Sequence, residues 1–78
     1  MTRTELELKL NTLNINSFSY SLDGDLNPNS IILYNSYDDW IVFYLDERGG
    51  RNNEKVFESQ QLAYDHIYGL FEKNKIYM

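Results

Sequence analysis

The chain has 78 residues, no cysteine, a single histidine, and twelve Asp and Glu against seven Lys and Arg, for a formal net charge of −5. A chain of this length forms one small domain that buries only about 60% of its unfolded surface; this excludes a deep enclosed cofactor cavity and leaves a flat sheet face or a groove between sheet and helix as the places to bind anything. The lack of cysteine excludes disulfides and thiolate metal sites, and the acidic balance argues against a nucleic-acid backbone as partner and for a basic protein, although moderate acidity also serves solubility alone.

The opening segment, MTRTELELKL, alternates charge with leucine instead of running from basic to apolar as a secretion signal does, and no apolar run approaches the ~20 residues of a membrane span. The expectation is a cytoplasmic protein with no membrane segment. Thr4-Glu5-Leu6-Glu7 has the Ser/Thr-x-x-Glu form of a capping box. Leu6, Leu10 and Leu13 follow at helical spacing, predicting a helix from about Thr4 to Leu13. Leu6, Leu8 and Leu10 also alternate as a strand would, and the cap with Leu13 decides for the helix. After Asn14-Ile15-Asn16, the stretch Ser17 to Leu22 alternates with Phe18, Tyr20 and Leu22 on one side and predicts a half-buried strand.

Asp23 to Asn29 is dense in turn formers, and its Asp-Gly pair is a hairpin signal. Ser30 to Tyr34 is a second β-type run, and Asn35 to Asp39 a second turn. In the third run, Trp40, Val42 and Tyr44 face one way and Ile41, Phe43 and Leu45 the other. One of these apolar faces should pack on a helix; the other needs a second layer or stays exposed. A charged, glycine-containing loop from Asp46 to Glu54 leads to a brief fourth strand, Lys55 to Glu58. Ser59 is then a good N-cap for a helix from Gln60 to about Lys73, with Leu62, Ala63, His66, Ile67 and Leu70 on one face and Lys73 and Lys75 suited to its carboxyl end. The expected fold is α+β in one domain over residues 1–78: a short N-terminal helix, a three- to four-stranded antiparallel sheet, and a C-terminal helix packed on one face.

Chemistry-bearing constellations are sparse. His66 lies one turn after Leu62 and one before Leu70 and reads as a core-edge histidine; with scattered carboxylates alone beside it, no metal site is expected. There is no nucleophile signature, and Gly49-Gly50 lacks the spacing of a phosphate loop. Asp23-Gly24-Asp25 begins like a calcium loop, but Leu26-Asn27-Pro28 does not continue the ligand spacing. The expectation is a protein without catalysis or cofactor. The seven tyrosines, one tryptophan and four phenylalanines are more than so small a core hides. Asp38 and Asp39 precede the aromatic strand and Asp46 and Glu47 follow it, so Asp38, Asp39, Trp40, Tyr44, Asp46 and Glu47 form the expected partner-binding set. The local alternative is that Asp38-Asp39 serves its turn and Glu47 pairs with Arg48 or Arg51.

Trp40-Ile41-Val42-Phe43-Tyr44-Leu45-Asp46-Glu47-Arg48-Gly49, followed by Phe57-Glu58-Ser59-Gln60-Gln61-Leu62-Ala63, resembles the W-x-V-x-Y, E-R-G, F-x-S-x-x-x-A pattern of small immunity proteins in bacterial polymorphic toxin systems. With Tyr20-Ser21-Leu22 as its entry strand the resemblance spans roughly residues 18 to 71, and it departs from the family at Gln60, where an acidic residue is usual. It implies a cytoplasmic inhibitor that binds a cognate, basic toxin, often a nuclease, and covers its active site or groove. It also implies a shaping role for Glu47 and Arg48 as an ion pair, with Gly49 at a positive φ. The rival reading is a structural or regulatory protein that self-associates, as a homodimer burying the spare tyrosines or pairing a sheet edge.

Overall fold

The structure, a computed structural model, describes residues 1–74; the expectation for Lys75, and Tyr77 among the spare tyrosines, lie outside the described residues. In chain order the elements are α1 (Arg3–Thr12), a single 3-10 turn (Ser17–Ser19), β1 (Tyr20–Ser21), β2 (Ser30–Ser36), β3 (Asp39–Leu45), β4 (Arg51–Phe57) and α2 (Gln60–Asn74). The strands form one sheet in the order β1-β2-β3-β4. The α+β class and the helix-sheet-helix order are those expected.

The first helix starts one residue earlier than the sequence suggests, at Arg3, with its cap two residues earlier. Thr2, not Thr4, is the N-cap: its hydroxyl accepts from the Glu5 N–H at 3.2 Å, and the Glu5 carboxylate accepts from the Thr2 N–H at 3.1 Å. Both Thr-x-x-Glu registers exist in this stretch, and the earlier one brings Leu6 and Leu10 onto the buried side. At the other end Asn14, at φ +62°, closes the helix in a Schellman arrangement, in which the Asn14 N–H bonds to the Asn11 carbonyl and the Ile15 N–H to the Leu10 carbonyl. Leu10 and Ile15, the residues so joined, both belong to the core.

The predicted strand from Ser17 to Leu22 is mostly absent. Asn16 accepts from the Phe18 N–H at 2.8 Å through its side chain and caps the 3-10 turn, leaving Phe18 84% exposed and only Tyr20 and Ser21 in the sheet. β1 also runs parallel to β2, with Tyr20 beside Ile31 and Ser21 beside Ile32, so the sheet is mixed and not wholly antiparallel. Gly24 takes the positive φ that its Asp-Gly pair promises, +80°. The five residues that follow nevertheless carry the chain back to start β2 in the direction of β1. A parallel connection this short is feasible because β1 is only two residues long. It is clamped to α1 by Arg3, whose guanidinium engages both oxygens of Asp23 (Nη2 to Oδ2 2.9 Å) and also Glu7 at 3.0 Å.

Both helices cover one face of the sheet. Leu6, Leu10, Ile15, Ile31, Leu33, Val42, Ala63, Tyr64, Ile67 and Phe71 form the main core, with Trp40, Tyr44 and Phe57 packed at its margin. On the opposite face Ile32, Phe43 and Leu45 are also buried. Gly24 brings the β1–β2 connection against the Tyr34 ring, the Asn29 N–H donates to the Leu45 carbonyl, and the Arg51 guanidinium lies 4.5 Å over the Phe43 ring. The middle of the second apolar face therefore has a covering drawn from the chain itself.

The fourth strand begins at Arg51, earlier than expected, and carries a bulge. Val42 faces Lys55 while Tyr44 faces Asn52, so Asn53 and Glu54 together oppose Phe43, and Asn53 takes φ +56°. In α2, Ser59 caps as expected, accepting from the Leu62 N–H at 3.2 Å. The buried face is rotated from the one predicted: Ala63, Tyr64, Ile67 and Phe71 point inward and Leu62 is about half exposed.

Candidate protein-binding surface

The six residues singled out from the sequence do not assemble into one surface. Asp38 and Asp39 lie at the β2–β3 turn and Asp46 and Glu47 at the β3–β4 turn, separated by a seven-residue strand of about 20 Å. Trp40 and Tyr44 have the parity of Val42 and pack against the helix-covered core, each only partly exposed.

Asp46 has a local task. Its Oδ1 accepts from the Arg48 and Gly50 N–H groups at 2.9 and 2.7 Å, and its Oδ2 from the Asn52 side-chain amide at 3.1 Å. These donors, Gly50 first and Asn52 next, hold its carboxyl below the usual range. Gly49 sits at φ +83°, as the resemblance implies, and a Cβ on Gly50 would come within 2.8 Å of the Asp46 carboxylate. The turn is thus shaped by Asp46, and no salt bridge between Glu47 and Arg48 occurs among the described residues. Arg51 pairs with Glu54 at 3.6 Å instead. His66 lies 5.0 Å from the Phe57 ring, centroid to centroid, and burial, with the nearby Lys55 charge, pushes its pKa below the ordinary value. The neutral imidazole is the favoured form in the fold. Its packing is present above the ordinary histidine range and weakens as pH falls through the lowered value.

The other end of the sheet is different. Tyr34, Ile41 and Val56 are register partners in a row across β2, β3 and β4, on the face away from the helices. Tyr34 is 41% and Val56 59% exposed, and Ile41 is partly so. Beyond that row the β2–β3 turn consists of Tyr37 and Asp38 between the paired residues Ser36 and Asp39, with Tyr37 98% exposed. Asp38, Asp39 and Glu58 surround this corner, all exposed, and no salt bridge among the described residues engages them. Lys55, the nearest basic residue of β4, lies opposite Val42 and therefore on the helix side. The corner combines ring and aliphatic surface with uncompensated carboxylates, whereas Arg48 and Arg51 balance the charge at the far turn.

Of the residues at this corner, the set expected from the sequence includes Asp38 and Asp39 and omits Tyr34, Tyr37, Ile41, Val56 and Glu58. The overlooked signal is a tyrosine inside the two-residue turn, a place where Asn, Asp or Gly is usual. A second surface, of mixed polar and apolar lining, is an open groove of about 810 Å³ between α1 and the 3-10 turn, where Leu8, Ile15, Phe18 and Tyr20 meet Glu7, Asn11 and Asn16. Among the described residues no three His, Asp or Glu side chains are grouped to hold a metal ion, and no helix is long and apolar enough to cross a membrane. Comparison with family models, with curated proteins and with solved structures found no match to this chain.

Proposed function

We propose that this chain is an immunity-type inhibitor, a non-catalytic cytoplasmic protein that binds a basic toxin one to one and covers its active site or substrate groove. The observation that carries this reading is the corner formed by Tyr34, Ile41 and Val56 with Tyr37, Asp38, Asp39 and Glu58, in which desolvatable area and unpaired negative charge sit side by side. Rings and aliphatic groups supply affinity where water is excluded, and peripheral carboxylates accelerate encounter with a positive groove. The resemblance of Trp40 to Gly49 and Phe57 to Ala63 to polymorphic-toxin immunity proteins supplies the class of partner, with a nuclease as the expected chemistry.

The test is binding and growth rescue with the product of the adjacent gene. The wild-type chain should form a one-to-one complex and protect cells that express the toxin. Replacing Asp38 and Asp39 together by Lys should weaken the complex about tenfold to a hundredfold and flatten its salt dependence, with the circular dichroism spectrum unchanged. A neighbour that is neither toxic nor bound would sink the proposal.

A second reading, self-association, is favoured by one observation: Phe18 projects beside the α1 groove with Leu8 also exposed, a knob and a recess on the same molecule. It requires light scattering to show a dimer that dissociates on dilution and is lost in Phe18→Asp.

A further inference from the structure

Among the described residues four non-glycine positions hold a positive φ, and three of them are asparagines: Asn14, Asn29 and Asn53. The fourth is Tyr37, at φ +56°. Asparagine tolerates this region because its short amide bonds locally to the backbone, whereas a larger side chain meets its own carbonyl there, a penalty of roughly tenfold in the folding equilibrium. Nothing within the fold offsets that penalty at Tyr37. The residue is 98% exposed, and among the described residues its side chain makes no hydrogen bond, ring contact or ion pair. The two-residue turn it occupies needs a residue tolerant of positive φ and is indifferent to a phenol.

We infer that Tyr37 is an anchor side chain, held out at the tip of the β2–β3 hairpin to enter an apolar pocket with a basic rim on the partner. The inference rests on the binding reading above and names its central contact. The order of the pieces fits: Asp38 and Asp39 directly follow Tyr37 at the tip, available to Lys or Arg at a pocket mouth, while the Tyr34–Ile41–Val56 row stands behind the tip to meet the pocket's flank. A hairpin tip also has the right shape for a recess, being two residues wide and fixed by the Ser36–Asp39 pair at its base. Tyrosine suits the task because it brings large rigid area with few torsions to freeze and a hydroxyl for the pocket floor.

The experiment compares wild type with Tyr37→Asn, Tyr37→Gly and Tyr37→Phe in two measurements: urea unfolding of the free chain, and affinity for the purified product of the adjacent toxin gene. Tyr37→Asn and Tyr37→Gly should raise the folding equilibrium constant severalfold, since the strain is relieved, and weaken the complex by about thirtyfold or more, the loss typical of an interface hot spot. Tyr37→Phe should keep most of the affinity and gain no stability. If Tyr37→Asn lowers the free chain's stability, the ring serves the fold and the inference fails whatever the partner. If Tyr37→Asn and wild type bind equally, the inference fails while the immunity reading survives. If wild type does not bind, it is the reading that fails.

Discussion

Phe71→Ala should destabilise this protein more than any other single truncation considered, by about 3–5 kcal/mol, and move its unfolding transition to much lower urea. Phe71 is fully buried on α2 and meets Tyr20 edge-on, at 6.2 Å between centroids with the planes 69° apart. It touches the same cluster that joins Leu6 and Leu10 of α1 to Ile31, Leu33 and Val42 of the sheet. Removing a buried phenyl ring costs about 3–5 kcal/mol, since transfer free energy is lost and a cavity remains. A chain of this size has about 4–12 kcal/mol in total, so the substitution removes about a quarter of the stability at least and most or all of it at the lower bound. Far-ultraviolet circular dichroism against urea measures the loss. Phe71→Leu, which keeps most of the volume, should retain a sigmoidal transition at lower midpoint; a Phe71→Ala transition as sharp and as late as wild type would mean that the helix and sheet do not share one core.

Trp40→Ala should destabilise by about 2–3 kcal/mol, below the 3–5 kcal/mol of a fully buried large aromatic because the side chain is only partly covered. It should leave the affinity of the folded molecule for the proposed partner within about threefold of wild type, an energy difference of under 1 kcal/mol. Trp40 pairs across the sheet with Phe57 on the helix side, so its ring supports α2 and lies on the face opposite the Tyr34–Ile41–Val56 row. Paired unfolding and titration experiments separate the two effects. A large affinity loss with unchanged stability would return Trp40 to the contact surface and move the interface toward the helices. The contrast with Tyr37 is sharp: one ring stabilises the fold and contributes little to binding, and the other does the reverse.

Much of this architecture is legible in the sequence where local chemistry has a single outcome. Ser59 caps α2 as it should, and the leucine spacing puts Leu6 and Leu10 in the core despite an alternation that suits a strand equally. The losses occur where short-range signals compete. Asn16 takes the Phe18 N–H for its own side chain and so converts an alternating stretch into a 3-10 turn. Asp23-Gly24 carries hairpin chemistry, but the connection extends to Asn29 and the Arg3 clamp holds it across to α1, giving a parallel pair. Hydrophobicity placed Leu62 inward; the packed face is set by Tyr64 and Phe71, whose large rings reach the sheet while Leu62 points to solvent. The candidate surface was half legible for a related reason. Carboxylates around an aromatic strand are visible in sequence, but which face of the strand the helices cover is a tertiary fact, and it decides that Ile41 and not Trp40 adjoins the exposed corner.

The extra residue in β4 bears on how such a molecule remains dispersed at high concentration. β4 is the sheet's outer margin and its backbone is unpaired on one side by topology, an invitation to another chain to add itself and begin a fibril. A newcomer matching the rungs from Lys55 to Phe57 would meet its next side chains inverted past Asn53, and the alternating Arg51, Glu54 and Lys55 would oppose their own copies. Pairing along this margin is thereby disfavoured, which keeps the molecules separate at the sheet edge as their concentration rises.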